Sequence, residues 1–193
     1  MAIQILSGLY TFRNPRPAFL LIVLLCATLY SSAQQPLNAN DFVVPDSLVS
    51  ETFKLKPLSR KYGRLDYVAI TSSQQQLQGI FGPQSDWPNP KMTLEESLAS
   101  IDEDYKLFQQ RRGFNYSVLN LQESEVLGCV YIFPTKRKKY DAEVVLWVSK
   151  KAFDNRFDPV LLTAIKKWLD DVWPFKKIAY PGRSIKWEEW LQD

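Results

Sequence analysis

Histidine is absent from the 193 residues, and with it go every Ser-His-Asp or Cys-His nucleophile and every zinc site that depends on imidazole. Cysteine is nearly absent. Cys26 and Cys129 are the two in the chain, too few for a Cys-rich cluster, so no metal is expected. Glycine is sparse at 7 residues, with none between Gly128 and Gly182, which leaves that stretch without the glycine-rich turn that closes backbone N–H groups on a phosphate. The formal charge is only +3, so nucleic acid is not an expected partner. What remains, 46% hydrophobic and 23% charged residues, is globular composition and excludes the disordered and disulfide-dense classes.

A single long apolar run, residues 18–29, follows Arg13 and Arg16 and is closed by Tyr30, Ser31, Ser32 and Ala33. This is the layout of a secretory signal peptide, with Ser31 and Ala33 as the small residues at the minus-three and minus-one positions. Acylation at Cys26 is disfavoured because Leu25 stands where a small residue is required. An uncleaved anchor through residues 18–29 is the alternative, and its run falls short of the roughly 20 residues that span a bilayer. Residues 1–33 are therefore expected to be a signal peptide, with export to the periplasm or medium and no stable membrane span after cleavage. Residues 34–50, polar and without helical or alternating period, read as a flexible leader that drapes or stays loose.

Folding is expected from Glu51. Residues 52–58 alternate apolar and basic side chains as a half-buried strand does, and residues 59–73 carry Leu65, Val68 and Ala69 at helical spacing. Gly79, Gly82, Pro83, Pro88 and Pro90 make a long loop holding Phe81 and Trp87, of the kind that rims a site. Thr93 followed by Glu96 is a capping box, and Leu94, Leu98, Ile101, Tyr105 and Phe108 share one face of the helix it opens, which should stop before Gly113. Three strands follow, residues 114–121, 126–133 and 142–148, with connections short enough for an antiparallel meander. Asp158 as N-cap and Pro159 at the first position open another helix, with Leu161, Ile165, Trp168 and Val172 on its apolar face. A short strand, residues 177–180, precedes a Trp-rich terminal segment. Cys129 reads as a small buried hydrophobe, and the basic turn Lys136, Arg137, Lys138 and Lys139 as solvated.

Strand, helix, helix, three antiparallel strands, helix, strand, helix is the order of the GNAT acetyltransferase fold. Three tracts add to it: Leu127-Gly-Cys-Val-Tyr-Ile-Phe-Pro134, Tyr140-Asp-Ala-Glu-Val-Val-Leu-Trp-Val148 and Trp173-Pro-Phe-Lys-Lys-Ile-Ala-Tyr-Pro-Gly-Arg183. Together they resemble a bacterial branch of GNAT-like proteins. The resemblance implies an α+β domain over residues 51–193, a mixed and mostly antiparallel sheet flanked by helices, and shortened at its C-terminal end because a final strand pair is not visible.

The same resemblance implies an acyltransferase that moves the acetyl group of acetyl-CoA, as cosubstrate, to an amine that these residues do not name. Glu143 matches the family's general base and Tyr180 is a candidate donor to the leaving thiolate. The backbone N–H groups near Leu146, Trp147 and Val148 would bind the pantetheine arm and polarise the thioester carbonyl. In the phosphate region the family's glycine turn is replaced by residues 150–159, where Lys150, Lys151 and Arg156 could supply charge but Asp158 would oppose an anion. Weak coenzyme A binding is the expectation that follows. The alternative is an exported GNAT-fold binding or structural module that has lost acyl-CoA chemistry, which export favours because acyl-CoA is cytosolic. Oligomeric state is not legible.

The signal-peptide reading is checked by intact-mass measurement of the native protein, whose first residue is expected to be Gln34. A mass that includes Met1 or residues 18–29 overturns it in favour of an anchor.

Overall fold

In a computed structural model, residues 41–135 and 137–192 are described. The expected signal peptide, the start of the leader and Lys136 lie outside them. Six strands form one sheet in sequence order: β1 (Leu48–Val49), β2 (Lys54–Pro57), β3 (Phe114–Leu119), β4 (Val126–Phe133), β5 (Ala142–Val148) and β6 (Ile178–Ala179). All neighbours are antiparallel except β5 and β6, which run parallel. The helices are α1 (Gly63–Thr71), α2 (Gln74–Leu77), α3 (Leu94–Gln109), α4 (Lys150–Asp154), α5 (Phe157–Val172) and α6 (Trp187–Gln192). The α+β, mostly antiparallel architecture expected from the sequence is present.

The period of two along β3, β4 and β5 sends side chains to two cores. One face carries Tyr116, Val130, Ile132, Val144, Leu146 and Val148 against Leu161, Ile165, Trp168 and Leu169 of α5. The other carries Cys129, Tyr131 and Trp147 against Ala69 and Ile70 of α1, Leu77 of α2 and Ile101 of α3. Because both faces are covered, these strands read as near-continuous apolar runs, which is why the sequence marks β4 and β5 so clearly. Tyr116 centres the first core, with the rings of Phe108, Trp168 and Trp173 around it and its hydroxyl donating to the Pro45 carbonyl at 2.7 Å.

The leader departs from expectation within residues 41–50. Leu48 and Val49 pair with Leu55 and Lys54, Phe42 and Val44 pack on the first core, and the Phe42 carbonyl accepts from Arg111 at 2.7 Å. The folded unit thus begins at or before Asp41 rather than at Glu51. Three apolar-face assignments also change, since Val68, Tyr105 and Val172 are 58%, 41% and 45% exposed; Leu169 is buried in α5 where Val172 is expected. The capping box at Thr93 is formed, with the Glu96 N–H donating to Thr93 Oγ1 and the Thr93 N–H to Glu96 Oε2. Asp158 does not cap α5. The helix starts at Phe157, two residues earlier than Pro159 suggests, after Arg156 in the left-handed region at φ 59°. Cys129 is buried, as expected.

Gly128 is where β4 and β5 approach most tightly. A Cβ there would collide with the Trp147 carbonyl oxygen, which belongs to the neighbouring backbone and cannot step aside. Gly128→Ala is expected to destabilise by about 3 kcal/mol in urea unfolding. Gly79→Ala, at φ 76° with open space around it, should lose only about 1 kcal/mol from backbone strain.

Candidate active site

A cleft of about 700 Å³ lies where β5 begins and β6 joins it, and its described lining is Glu143, Pro134, Thr135, Tyr140, Trp190 and the bases Arg137, Lys138 and Lys139. Glu143 is half-buried between Phe133 of β4 and Ala179 of β6. Desolvation raises its carboxyl above the usual value, and the nearby Arg137 charge opposes that rise. Such a carboxylate can accept a proton from an amine at neutral pH better than an exposed one.

Tyr180 does not join it. Cross-strand partners share a face, so the pairing of Glu143 with Ala179 turns the next residue, Tyr180, to the opposite side. There it packs in the α5 core, under the Lys166 ammonium at 4.9 Å, and burial pushes its phenol up to about 12. It is therefore not placed to serve the same reacting centre as Glu143.

The strands β5 and β6 pair over two residues, Ala142 with Ile178 and Glu143 with Ala179, and then part. Tyr180 to Ile185 turn away, with Gly182 at φ 72° and the Gly182 N–H donating to the Ile185 carbonyl at 2.8 Å. Into the parting reaches Arg183. Its guanidinium clamps both carboxylate oxygens of Asp158 at 2.6 and 2.7 Å and donates to the Leu146 carbonyl at 3.2 Å. The Val148 carbonyl, two residues on along the same edge, accepts from Gln76 Nε2 at 3.2 Å. The carbonyls of Leu146 and Val148, on the edge that the resemblance assigns to the pantetheine arm, are thus engaged by side chains of this chain, while Trp147 alternates toward β4.

The phosphate region is likewise occupied from within. Where α4 opens, the Lys150 N–H donates to Ser73 Oγ at 2.7 Å and the Ala152 N–H to Ser149 Oγ at 3.3 Å. Lys150 pairs with Asp154 at 2.6 Å and Lys151 with Glu125 at 2.8 Å, while Arg156 is exposed at the turn before α5. The three bases do not converge. Asp158 opposes an anion less than expected, since Arg183 neutralises it; the obstacle there is occupancy rather than charge. Arg183, Gln76 and Ser73 are the residues that sequence reading missed. Their contacts join positions 25 to 77 residues apart, and no local pattern marks such pairs.

On the sheet face that carries Cys129 and Tyr131 lies a second group that the sequence did not single out. Asp66 and Asp104 line a small cavity of about 30 Å³ with Tyr131. Asp66 Oδ1 accepts from the Cys129 thiol at 3.2 Å and Asp104 Oδ1 from Asn115 Nδ2 at 2.8 Å. Burial raises both carboxyls to about 6, and Asp104 adds to the rise at Asp66. Among the described residues no cluster of three metal-ligating side chains is found, and no helix is long and apolar enough to cross a membrane.

No family model matches the sequence, and no curated protein does either. Solved structures do match. A Salmonella typhimurium acetyltransferase that modifies the N-terminal serine of the 50S ribosomal protein L7/L12 superposes with a TM-score of 0.50 at 14% identity, over 64% of this chain and 66% of that one. A protein assigned as a ribosomal-protein-serine acetyltransferase from Vibrio cholerae gives 0.51 at 18% identity over 65% and 68%. A third, assigned as an acetyltransferase, gives 0.54 at 12% over 69% and 72%. The fold defined above is that of the GNAT acetyltransferases. The match spans about two thirds of these neighbours.

The buried carboxyls set a pH dependence of stability. Their folded values, about 6, lie above the ordinary 3.8, so the stability linked to their protonation is complete below pH 4 and is lost as pH rises through 6. Urea unfolding is expected to show stability falling between about pH 4 and 6 and levelling off above, by on the order of 3 kcal/mol for a single shift of this size. Asp66→Asn, which keeps an oxygen for the Cys129 thiol, should be the more stable protein at pH 7 and show a flatter profile. An unchanged slope in that variant would remove Asp66 from the account.

Proposed function

We propose that this chain is an acyltransferase of GNAT type that uses acetyl-CoA and acts on an amine, with Glu143 as general base. The observation that carries the reading is the half-buried Glu143 carboxyl on the lining of the 700 Å³ cleft, at the point where β5 and β6 meet and part. In the step, the amine nitrogen attacks the thioester carbonyl, a C–N bond forms as the C–S bond breaks, and Glu143 takes the proton released by nitrogen. The thiolate leaves and takes a proton from solvent.

A second reading is favoured by one specific observation. The Arg183 clamp on Asp158 and the Leu146 carbonyl fills the parting of the strands, and a module that has lost acyl-CoA binding has no need to keep that parting open. The expected export behind Ala33, which would separate a bacterial protein of this kind from cytosolic acyl-CoA, supports the same alternative.

Acetyl transfer to a panel of primary amines separates the two. Under the first reading Glu143→Gln lowers turnover by about 10²–10⁴-fold, the scale of a lost general base, with the deficit largest at low pH where few amines are already deprotonated. Under the second, calorimetry with acetyl-CoA shows no binding by the unmodified protein, and turnover is absent at every pH.

A further inference from the structure

The Glu143 cleft has a charge pattern that the acyl-transfer step does not require. Its described lining carries one acid, Glu143, and three bases, Arg137, Lys138 and Lys139. A basic turn read from sequence is ordinarily solvated, but two of these cations are held on rings. The Arg137 guanidinium lies 4.2 Å from the centre of the Trp190 ring and the Lys139 ammonium 5.3 Å from that of Tyr140, and the two rings are themselves 5.7 Å apart. Stacking on aromatic faces orients the cations along one wall. The cleft therefore presents a positioned cationic wall beside a half-buried carboxylate.

We propose that the ligand of this cleft is a primary amine flanked by carboxylates, of the kind found at the amino terminus of an acidic peptide. The inference rests on the acyl-transfer reading only in giving Glu143 the amine. An amine beside Glu143 with carboxylates against Lys138 and Lys139 satisfies both signs of charge at once. A basic or polyamine ligand meets repulsion from the wall, and a polyphosphate places like charge against Glu143. A cleft of about 700 Å³ is within the range that encloses a short peptide end.

The test is calorimetric titration of the full chain, without any acyl donor. The probes are a tetrapeptide with a free amine and three Glu residues, its N-acetylated form, its all-Gln and all-Lys counterparts, free glutamate, and a short single-stranded oligonucleotide. The free-amine acidic peptide is expected to bind at least about 10-fold more tightly than the acetylated, Gln or Lys forms, with the gap narrowing as salt is raised. The double variant Lys138→Ala/Lys139→Ala, confirmed as folded by circular dichroism, should erase the gap between Glu and Gln peptides. Glutamate binding as tightly as the peptide also upholds the proposal and assigns the site to a free acidic amine. Equal binding of Glu and Gln peptides, indifference to acetylation of the amine, or an oligonucleotide binding as tightly as the acidic peptide overturns it. Selective binding with no transfer in a parallel assay supplied with acetyl-CoA upholds this proposal and overturns the acyl-transfer reading. Transfer to neutral, basic and acidic peptides alike does the reverse.

Discussion

Strand β5 pairs with β4 along Glu143–Val148 on one side and with β6 along two residues on the other, and this imbalance governs what the rest of the structure can do. A buried strand edge cannot leave its carbonyl groups unpaired, because each orphan carries a desolvation cost of about 1–3 kcal/mol. Once β6 departs after Ala179, something else must meet the carbonyls of Leu146 and Val148. Arg183 and Gln76 do so. Arg183 is itself held by two short bonds to Asp158, so the residue that meets the edge is fixed from the far side, at the first turn of α5. Charge-assisted, bidentate geometry of this type is the strong form of the interaction. The parting of the strands is thereby both the most distinctive part of the fold and the part most tied to one internal contact.

The two faces of the sheet handle ionisable groups in opposite ways. On the α5 side the carboxylate of Asp158 is matched by a cation and costs little. On the α1 and α3 side Asp66 and Asp104 are buried with a thiol, an amide and a phenol around them. Without a basic partner among those contacts, desolvation dominates and the protonated form is favoured. Glu143 stands between these extremes, half-buried and facing Arg137 across the cleft. Desolvation raises its carboxyl and the Arg137 charge works against that rise, so neither influence acts on it alone.

How much of this could be read from the chain depends on how local the cause is. The Thr93 and Glu96 capping box acts over three residues, and the helix it announces begins where expected. The bounds of β4 and β5 are set by runs of branched and aromatic residues long enough to leave no ambiguity, so Val126–Phe133 and Ala142–Val148 are found as expected. Asp158 and Pro159 gave the right helix and the wrong role: both residues suit a first turn, but Asp158 has a stronger partner in Arg183 than the backbone N–H groups a cap would serve. The strand at Leu48 and Val49 is two residues long and polar around it, so no period could reveal it. The family resemblance singles out Glu143, which lines the cleft, whereas Tyr180 faces the other side because the sequence does not say which residue of β6 lies opposite which residue of β5.

That register decides the chemistry of the site. Had Tyr180 rather than Ala179 paired with Glu143, a phenol and a carboxylate would have shared one face, as a donor and an acceptor on either side of a reacting carbonyl. The observed pairing instead puts a methyl group beside Glu143 and sends the phenol into the α5 core, where the rings and Lys166 receive it. A one-residue step in a parallel pair moves every side chain beyond it to the other face. In this chain it leaves Glu143 with the basic wall of its cleft, rather than a tyrosine, as its polar surroundings.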